Sequence, residues 1–210
     1  MNMQSNAKRL TLFPVLICMV VLLISSKPAF CAEGPIQMLQ KITNNVIAKL
    51  KANRAALRSN PNGIYSLVNT SILPYVDFAE MGRWVAGRNA WNAADSGTQA
   101  AFIKEFKVMV VRSYARSLLE YTDQSVEFLP LRGGASKDRI QVFSLIKESG
   151  KPPLHLDYRL IQAGGSWRVY DIIIEGVSLM QGYRAQFADD IRQGGVKAAV
   201  ERMRRHNTGR

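Results

Sequence analysis

The sequence predicts an α+β domain in which helices come first, a run of antiparallel hairpins follows, and helices close the chain. Three observations carry this. Apolar residues recur at helical spacing from Ile36 to Ile72 and again from Phe102 to Tyr121, the period falls to two after Asp123, and helical spacing returns at Phe187. No internal repeat, linker or second domain interrupts residues 33–205, and 206–210 reads as a flexible tail, with the chain loosening from Arg204.

Between Pro35 and about Ser59, Ile36, Leu39, Ile42, Val46 and Leu50 form one apolar stripe, and Asn60-Pro61-Asn62-Gly63 ends that helix as a turn. A second helical stretch carries Ile64, Leu67, Val68 and Ile72 up to Pro74, and a third runs from Phe78 to about Gly87. The longest helix starts behind Asp95, Ser96 or Thr98 as capping candidates and reaches about Tyr121. Its residues Phe102, Ile103, Phe106, Val110, Tyr114, Leu118 and Tyr121 cover close to half its circumference, wider than a surface helix needs. Val126, Phe128 and Leu131 then lead to Gly133-Gly134, and Ile140 to Ile146 reads as one strand. Leu156, Tyr158 and Leu160 alternate in the next strand, which Ala163-Gly164-Gly165-Ser166 joins to Trp167–Glu175. The last helical region breaks at Gly194-Gly195, between Ile191 and Val196.

The first 32 residues read as a cleaved secretory signal. Lys8 and Arg9 precede a 15-residue apolar run, Leu10 to Ile24, which is shorter than the roughly 20 residues a spanning helix needs. Cleavage is placed after Cys31 or after Ala32, and Phe30 fits a lipobox at Cys31 badly. Removal takes away Lys8, Arg9 and Lys27 with no acidic residue, so the formal charge falls from +12 to +9 over the remaining 178 residues. Both cysteines, Cys18 and Cys31, leave as well, and no disulfide framework remains. The fold must stand on its core.

The inventory for catalysis is thin. His206 lies in the basic tail, and His155 shares a strand face with Asp157, where a solvated strand face is preferred to a base and its orienter. Asp171, beside Tyr170 on an apolar strand, is open to two readings, a buried general base or a carboxylate bonded to a turn or helix end. No zinc spacing, EF-hand, phosphate loop or dinucleotide fingerprint is present. The basic residues are scattered and form no nucleic-acid reading motif, and for an exported chain the counterparts are lipid head groups or acidic protein patches.

Two stretches are specific. One is Leu73-Pro74-Tyr75-Val76-Asp77-Phe78 with Gly87, Trp91, Gln99, Phe102, Phe106, Tyr114 and Tyr121. The other is Leu156-Asp157-Tyr158, Trp167-Arg168-Val169-Tyr170-Asp171 and Glu175-Gly176-Val177-Ser178-Leu179, then Tyr183-Arg184 and Phe187. Together they resemble the MlaC family, also called the toluene-tolerance auxiliary family, over nearly the whole mature chain, although Trp91 stands one position further from Gly87 than that pattern expects. The resemblance implies a nuclear-transport-factor-like fold, with a curved antiparallel sheet and helices around an apolar cavity. It also implies a periplasmic phospholipid-binding carrier whose partners are an outer-membrane lipoprotein complex and an inner-membrane ABC transporter complex with its substrate-binding subunit, with no nucleic acid among them. Phospholipid would be cargo, and no cofactor is expected.

Burying a methylene contributes about 0.8 kcal/mol, so exposing roughly 30 methylenes of a diacyl lipid costs on the order of 25 kcal/mol. A carrier therefore needs a deep dry pocket and no reactive group. The expected lipid-binding residues are Trp84, Phe102, Phe106, Val110, Tyr114, Val142, Tyr158, Leu160, Tyr170, Ile172, Ile174, Val177 and Met180, with Arg83, Arg88 and Arg184 as head-group or partner contacts. For every apolar position, plain core packing is the rival reading. The alternative function is an exported enzyme on the same fold that uses Asp157 or Asp171 for proton transfer.

Overall fold

A computed structural model of the protein describes residues 33–60, 62–121, 123–131 and 138–209. The expected signal segment and Gly133-Gly134 lie outside these residues.

Pro35 opens α1 (Pro35–Ala52), where its missing amide proton costs nothing at the first helical turn. The single helix expected up to Ser59 is broken at Asn53, whose φ of −113° leaves the helical region, and α2 (Arg54–Ser59) follows. Next come α3 (Gly63–Ser71), a 3₁₀ turn (Leu73–Tyr75) and α4 (Phe78–Ala86), capped by Asp77, whose side chain accepts the Glu80 amide at 2.8 Å. Gly87, at φ +77°, starts a helix the sequence reading missed, α5 (Arg88–Ala93). Gln99 holds its far end by donating to the Trp91 and Ala94 carbonyls at 2.8 and 3.2 Å. Among the three cap candidates it is Asp95 that starts α6 (Ser96–Tyr114), accepting the Thr98 amide at 2.9 Å, and the stretch to Tyr121 tightens into a 3₁₀ segment (Ala115–Glu120).

The sheet comprises β1 (Ser125–Phe128), β2 (Arg139–Val142), β3 (Ser144–Lys147), β4 (Leu154–Ala163), β5 (Ser166–Ile174) and β6 (Val177–Ser178), in the order β1-β3-β4-β5-β6 with β2 also paired to β4. All named pairs are antiparallel. The strand expected over Ile140–Ile146 is thus two, divided at Phe143, and both halves lie along β4. The β4–β5 register shifts between Arg159 and Leu160, a bulge that re-aims the side chains around Tyr170. Helix α7 (Leu179–Thr208) kinks at Gly194-Gly195 as expected, with Gly195 at φ +65°. The tail expected to be loose is instead helical to Thr208. Asn207 is buried, and its amide donates to the Glu105 carbonyl and carboxylate at 3.0 and 2.9 Å, while Arg112 of α6 donates to the Asn207 carbonyl.

The central helical core is built from Phe78, Met81 and Val85 of α4, Trp91 of α5, Phe102, Phe106 and Met109 of α6, and Met180, Tyr183, Phe187, Val200 and Met203 of α7. Trp91 meets Phe102 edge-on at 5.7 Å, Phe102 stacks on Phe106 at 5.6 Å, and Tyr183 meets Phe106 edge-on at 5.0 Å. Gly82 lets α4 approach this group, because a Cβ there would lie 2.7 Å from the Trp91 ring and 3.2 Å from Phe102. Gly82→Ala is expected to lower stability by about 1–3 kcal/mol through overpacking, read as a lower urea midpoint with an unchanged slope.

Candidate functional site

The two faces of the sheet are used differently. One turns Tyr170, with Ile161 beside it, into the helical core formed by α4, α6 and α7. The other carries Val142, Leu160, Trp167 and Val169, which α1 covers through Met38 and Leu39. Around that second cluster stand large apolar side chains that are only partly buried: Ile36 and Ile42 of α1, Tyr75, Phe128 of β1, Leu131, Ile140, Tyr158 and Ile172. Ile42 also packs on the cluster formed by α1, α2, α3 and the end of α6, so this surface runs from the sheet across α1 toward the helices. Phe128 and Tyr158 lie 6.1 Å apart on it, with tilted rings. These apolar side chains are only partly covered by the chain, and groups of this kind suit a hydrocarbon guest.

Its polar accents are few. Burial pushes the Tyr158 phenol from its ordinary 10.0 up to about 12, with the Asp157 charge adding to the rise and the Ser144 hydrogen bond opposing it. Because the folded value is the higher one, this tyrosine favours the folded state below pH 10 and that share is lost as pH climbs from 10 toward 12. Tyr183 is raised in the same direction, first by burial and then by Tyr114. Tyr158→Phe is therefore expected to flatten part of the fall in Tm between pH 10 and 12, with the Tyr183 share remaining.

The buried aspartates Asp157 and Asp171 sit on the opposite face of β4 and β5, and each has structural partners. Asp171 is 1 % exposed, accepts Ser178 Oγ at 2.6 Å and the Met180 amide at 3.1 Å, and pairs with Arg159 at 3.0 Å. Ser178 in turn accepts the Gln181 amide at 3.1 Å, so one carboxylate ties β4, β5, β6 and the start of α7 together. Asp157 accepts the Ser144 amide at 3.3 Å, just past the Phe143 break, and Gln141 Nε2 at 3.3 Å. Glu80 on α4 is held by Arg83 at 2.8 Å and Arg139 at 2.7 Å, and Arg139 lies 5.1 Å over the Tyr170 ring. Among the described residues no cluster of three or more His, Cys, Asp or Glu is placed to hold a metal ion, and no helix is long and apolar enough to cross a membrane.

With this geometry in view, comparison with known proteins is informative. The model of the MlaC protein family matches residues 40–205, from α1 to the last turns of α7. This chain belongs to the MlaC family. Among its relatives, the toluene tolerance protein ttg2D of Pseudomonas putida is 27% identical over 164 residues, 78% of this chain and 76% of the relative. The intermembrane phospholipid transport system binding protein MlaC of Haemophilus influenzae is 21% identical over 194 residues, 91% of this chain and 90% of the relative. A phospholipid-binding protein from Ralstonia solanacearum, solved in complex with a phospholipid, superposes with a TM-score of 0.74 at 30% identity, covering 82% of this chain and 96% of that one. The family and the α+β class read from the sequence stand.

The residues expected to bind lipid in this MlaC-family chain do not form one group. Tyr158 and Ile172 are half-buried at the edge of the cluster between α1 and the sheet, and Val142 and Leu160 are buried within it. Phe102, Phe106, Tyr170 and Met180 instead belong to the close-packed helical core, with Trp84 and Val110 packed against it. Trp84 also lies 6.0 Å beneath the Arg159 guanidinium. Ile174 is partly buried at the end of β5. Two expectations of an interior position are corrected: Tyr114 is 40 % exposed at the outer end of α6, and Val177 is 66 % exposed, because the Glu175-Gly176 turn, both at positive φ, points it outward. Of the expected head-group arginines, Arg83 is paired with Glu80, and Arg88 and Arg184 are exposed near Gly87. His155 is exposed and its own amide donates to Glu175 at 2.5 Å, while the Asp157 oxygens accept from Ser144 and Gln141.

Ile36, Ile42, Tyr75 and Phe128 were missed as site residues. Their signal in the sequence is ordinary helical or alternating spacing, which marks them as inward-facing without saying how completely they will be covered.

Proposed function

We propose that this chain is a periplasmic phospholipid carrier that binds acyl chains between α1 and the facing sheet surface. In this reading it exchanges lipid between an outer-membrane lipoprotein complex and an inner-membrane ABC transporter complex, and so maintains outer-membrane lipid asymmetry. The observation that supports it best is the Ralstonia protein, which holds a phospholipid on the same fold at 30% identity. The partly covered rim of Ile36, Ile42, Tyr75, Phe128, Tyr158 and Ile172 provides the matching chemistry here. Because pocket and bilayer are both apolar, transfer is close to balanced in free energy, and direction falls to the partners. Binding without chemistry fits the way Asp157 and Asp171 are engaged, since each accepts backbone and side-chain hydrogen bonds that hold strands and helix starts together.

Native mass spectrometry of protein isolated from the periplasm, followed by organic extraction, tests the reading. Phospholipid in stoichiometric amount is expected. Repeated recovery of lipid-free protein contradicts it.

A further inference from the structure

We propose that a groove between α3 and α6 docks an acidic, amphipathic peptide segment of a partner protein. The groove encloses about 350 Å³ and is lined by Asn62, Tyr65 and Asn69 on one side and by Lys107, Val108, Val111 and Arg112 on the other. Its lining shares no residue with the cluster between α1 and the sheet, although Tyr65 and Val111 belong to the neighbouring cluster that Ile42 also touches, and the proposal does not rest on the lipid reading.

Charge selects the partner. Among the described residues no carboxylate lines the groove, and α3 (Gly63–Ser71) carries no charged residue. Lys107 is exposed and holds no ion pair among the described residues, so its charge is uncompensated. The Arg112 guanidinium is already anchored by its hydrogen bond to the Asn207 carbonyl, so less rotamer freedom is lost when it meets an anion. Exposed Lys104 and Arg116 prolong the basic character beyond both ends of the groove.

Shape and polarity select a peptide over a bilayer. Val108, 36 % exposed, and Val111 give an apolar floor one helical turn long, which suits a side chain inserted from an amphipathic segment. The facing amides of Asn62 and Asn69 offer both donors and acceptors, as peptide groups require, whereas lipid phosphates only accept. A membrane surface is flat on this scale and leaves a concave groove unfilled.

The test uses the intact protein and a fluorescein-labelled peptide of about 14 residues, four helical turns, with Leu on one face and Glu flanking it. A scrambled peptide and phosphatidylglycerol vesicles serve as comparisons, and fluorescence anisotropy and vesicle flotation are the readouts. The amphipathic peptide is expected to bind, with Lys107→Glu and Val108→Glu each weakening it roughly tenfold. Both side chains are exposed, and circular dichroism checks that the variants remain folded. Lys197→Glu, the same charge change at an exposed site outside the groove, is expected to shift affinity less than about twofold. The proposal is overturned by any of three results: equal losses from Lys197→Glu and Lys107→Glu, which would mean net charge alone; equal binding of the scrambled peptide; or vesicle binding without peptide binding.

Discussion

Asp171→Ala is expected to destabilise the domain by about 3–5 kcal/mol, a large part of the 5–15 kcal/mol typical of a whole domain. The carboxylate is buried and receives Ser178 Oγ, the Met180 amide and the Arg159 guanidinium. Removing it leaves a buried amide unpaired at the start of α7 and a partly buried guanidinium, 28% exposed, without its counter-charge. Ser178→Ala removes a hydroxyl that links Asp171 to the Gln181 amide and should cost less, about 1–2 kcal/mol. Urea unfolding followed by circular dichroism reads both, with a shifted midpoint at constant slope. A loss below about 1 kcal/mol for Asp171→Ala would show that the junction of β4, β5 and α7 is held by something else.

The second large effect separates the helical core from the proposed lipid surface. Phe106→Ala should cost about 3–5 kcal/mol of stability, because the ring is fully buried between Phe102 and Tyr183. Protein that remains folded should still carry its usual lipid. Ile42→Glu should do the reverse. Its side chain is only partly buried, so the carboxylate can reach water in the empty protein, whereas a bound acyl chain would trap it without solvent. Lipid recovered per folded molecule should fall to below roughly a tenth, while the unfolding free energy changes by about 1 kcal/mol or less. Loss of lipid in Phe106→Ala with full occupancy in Ile42→Glu would return the binding site to the helical core.

Local rules carried much of the architecture into the sequence. Asp95 was visible as a cap candidate, the Gly194-Gly195 break was visible because no periodic helix continues through paired glycines, and Trp167–Glu175 was visible as a strand of the hairpin run. The failures were tertiary. Phe143 reads as one more strand residue, yet Ser144 hands its amide to Asp157 and its hydroxyl to the Leu156 carbonyl, and that exchange divides the strand. The last turns looked disordered because Arg204, Arg205 and His206 are charged or polar, while Glu105 and Arg112, a hundred positions away, secure Asn207.

The candidate site was legible only in part, and for a related reason. A broad apolar face on α6 signals burial, and packing by α4, α5 and α7 buries its Phe102, Phe106 and Met109. The face of α1 looked like an ordinary amphipathic stripe, yet its Ile36 and Ile42 are left only partly buried. Periodicity reports which side of an element turns inward. It carries no information about whether protein or ligand will fill the space there.

Site-specific photocrosslinking in living cells tests the central claim most directly. With benzoylphenylalanine at Ile42, irradiation should attach phospholipid to the protein, whereas the same group at Val177, which is exposed at the start of β6, should not. Phospholipid adducts at Val177 and none at Ile42 would contradict a lipid seat between α1 and the sheet.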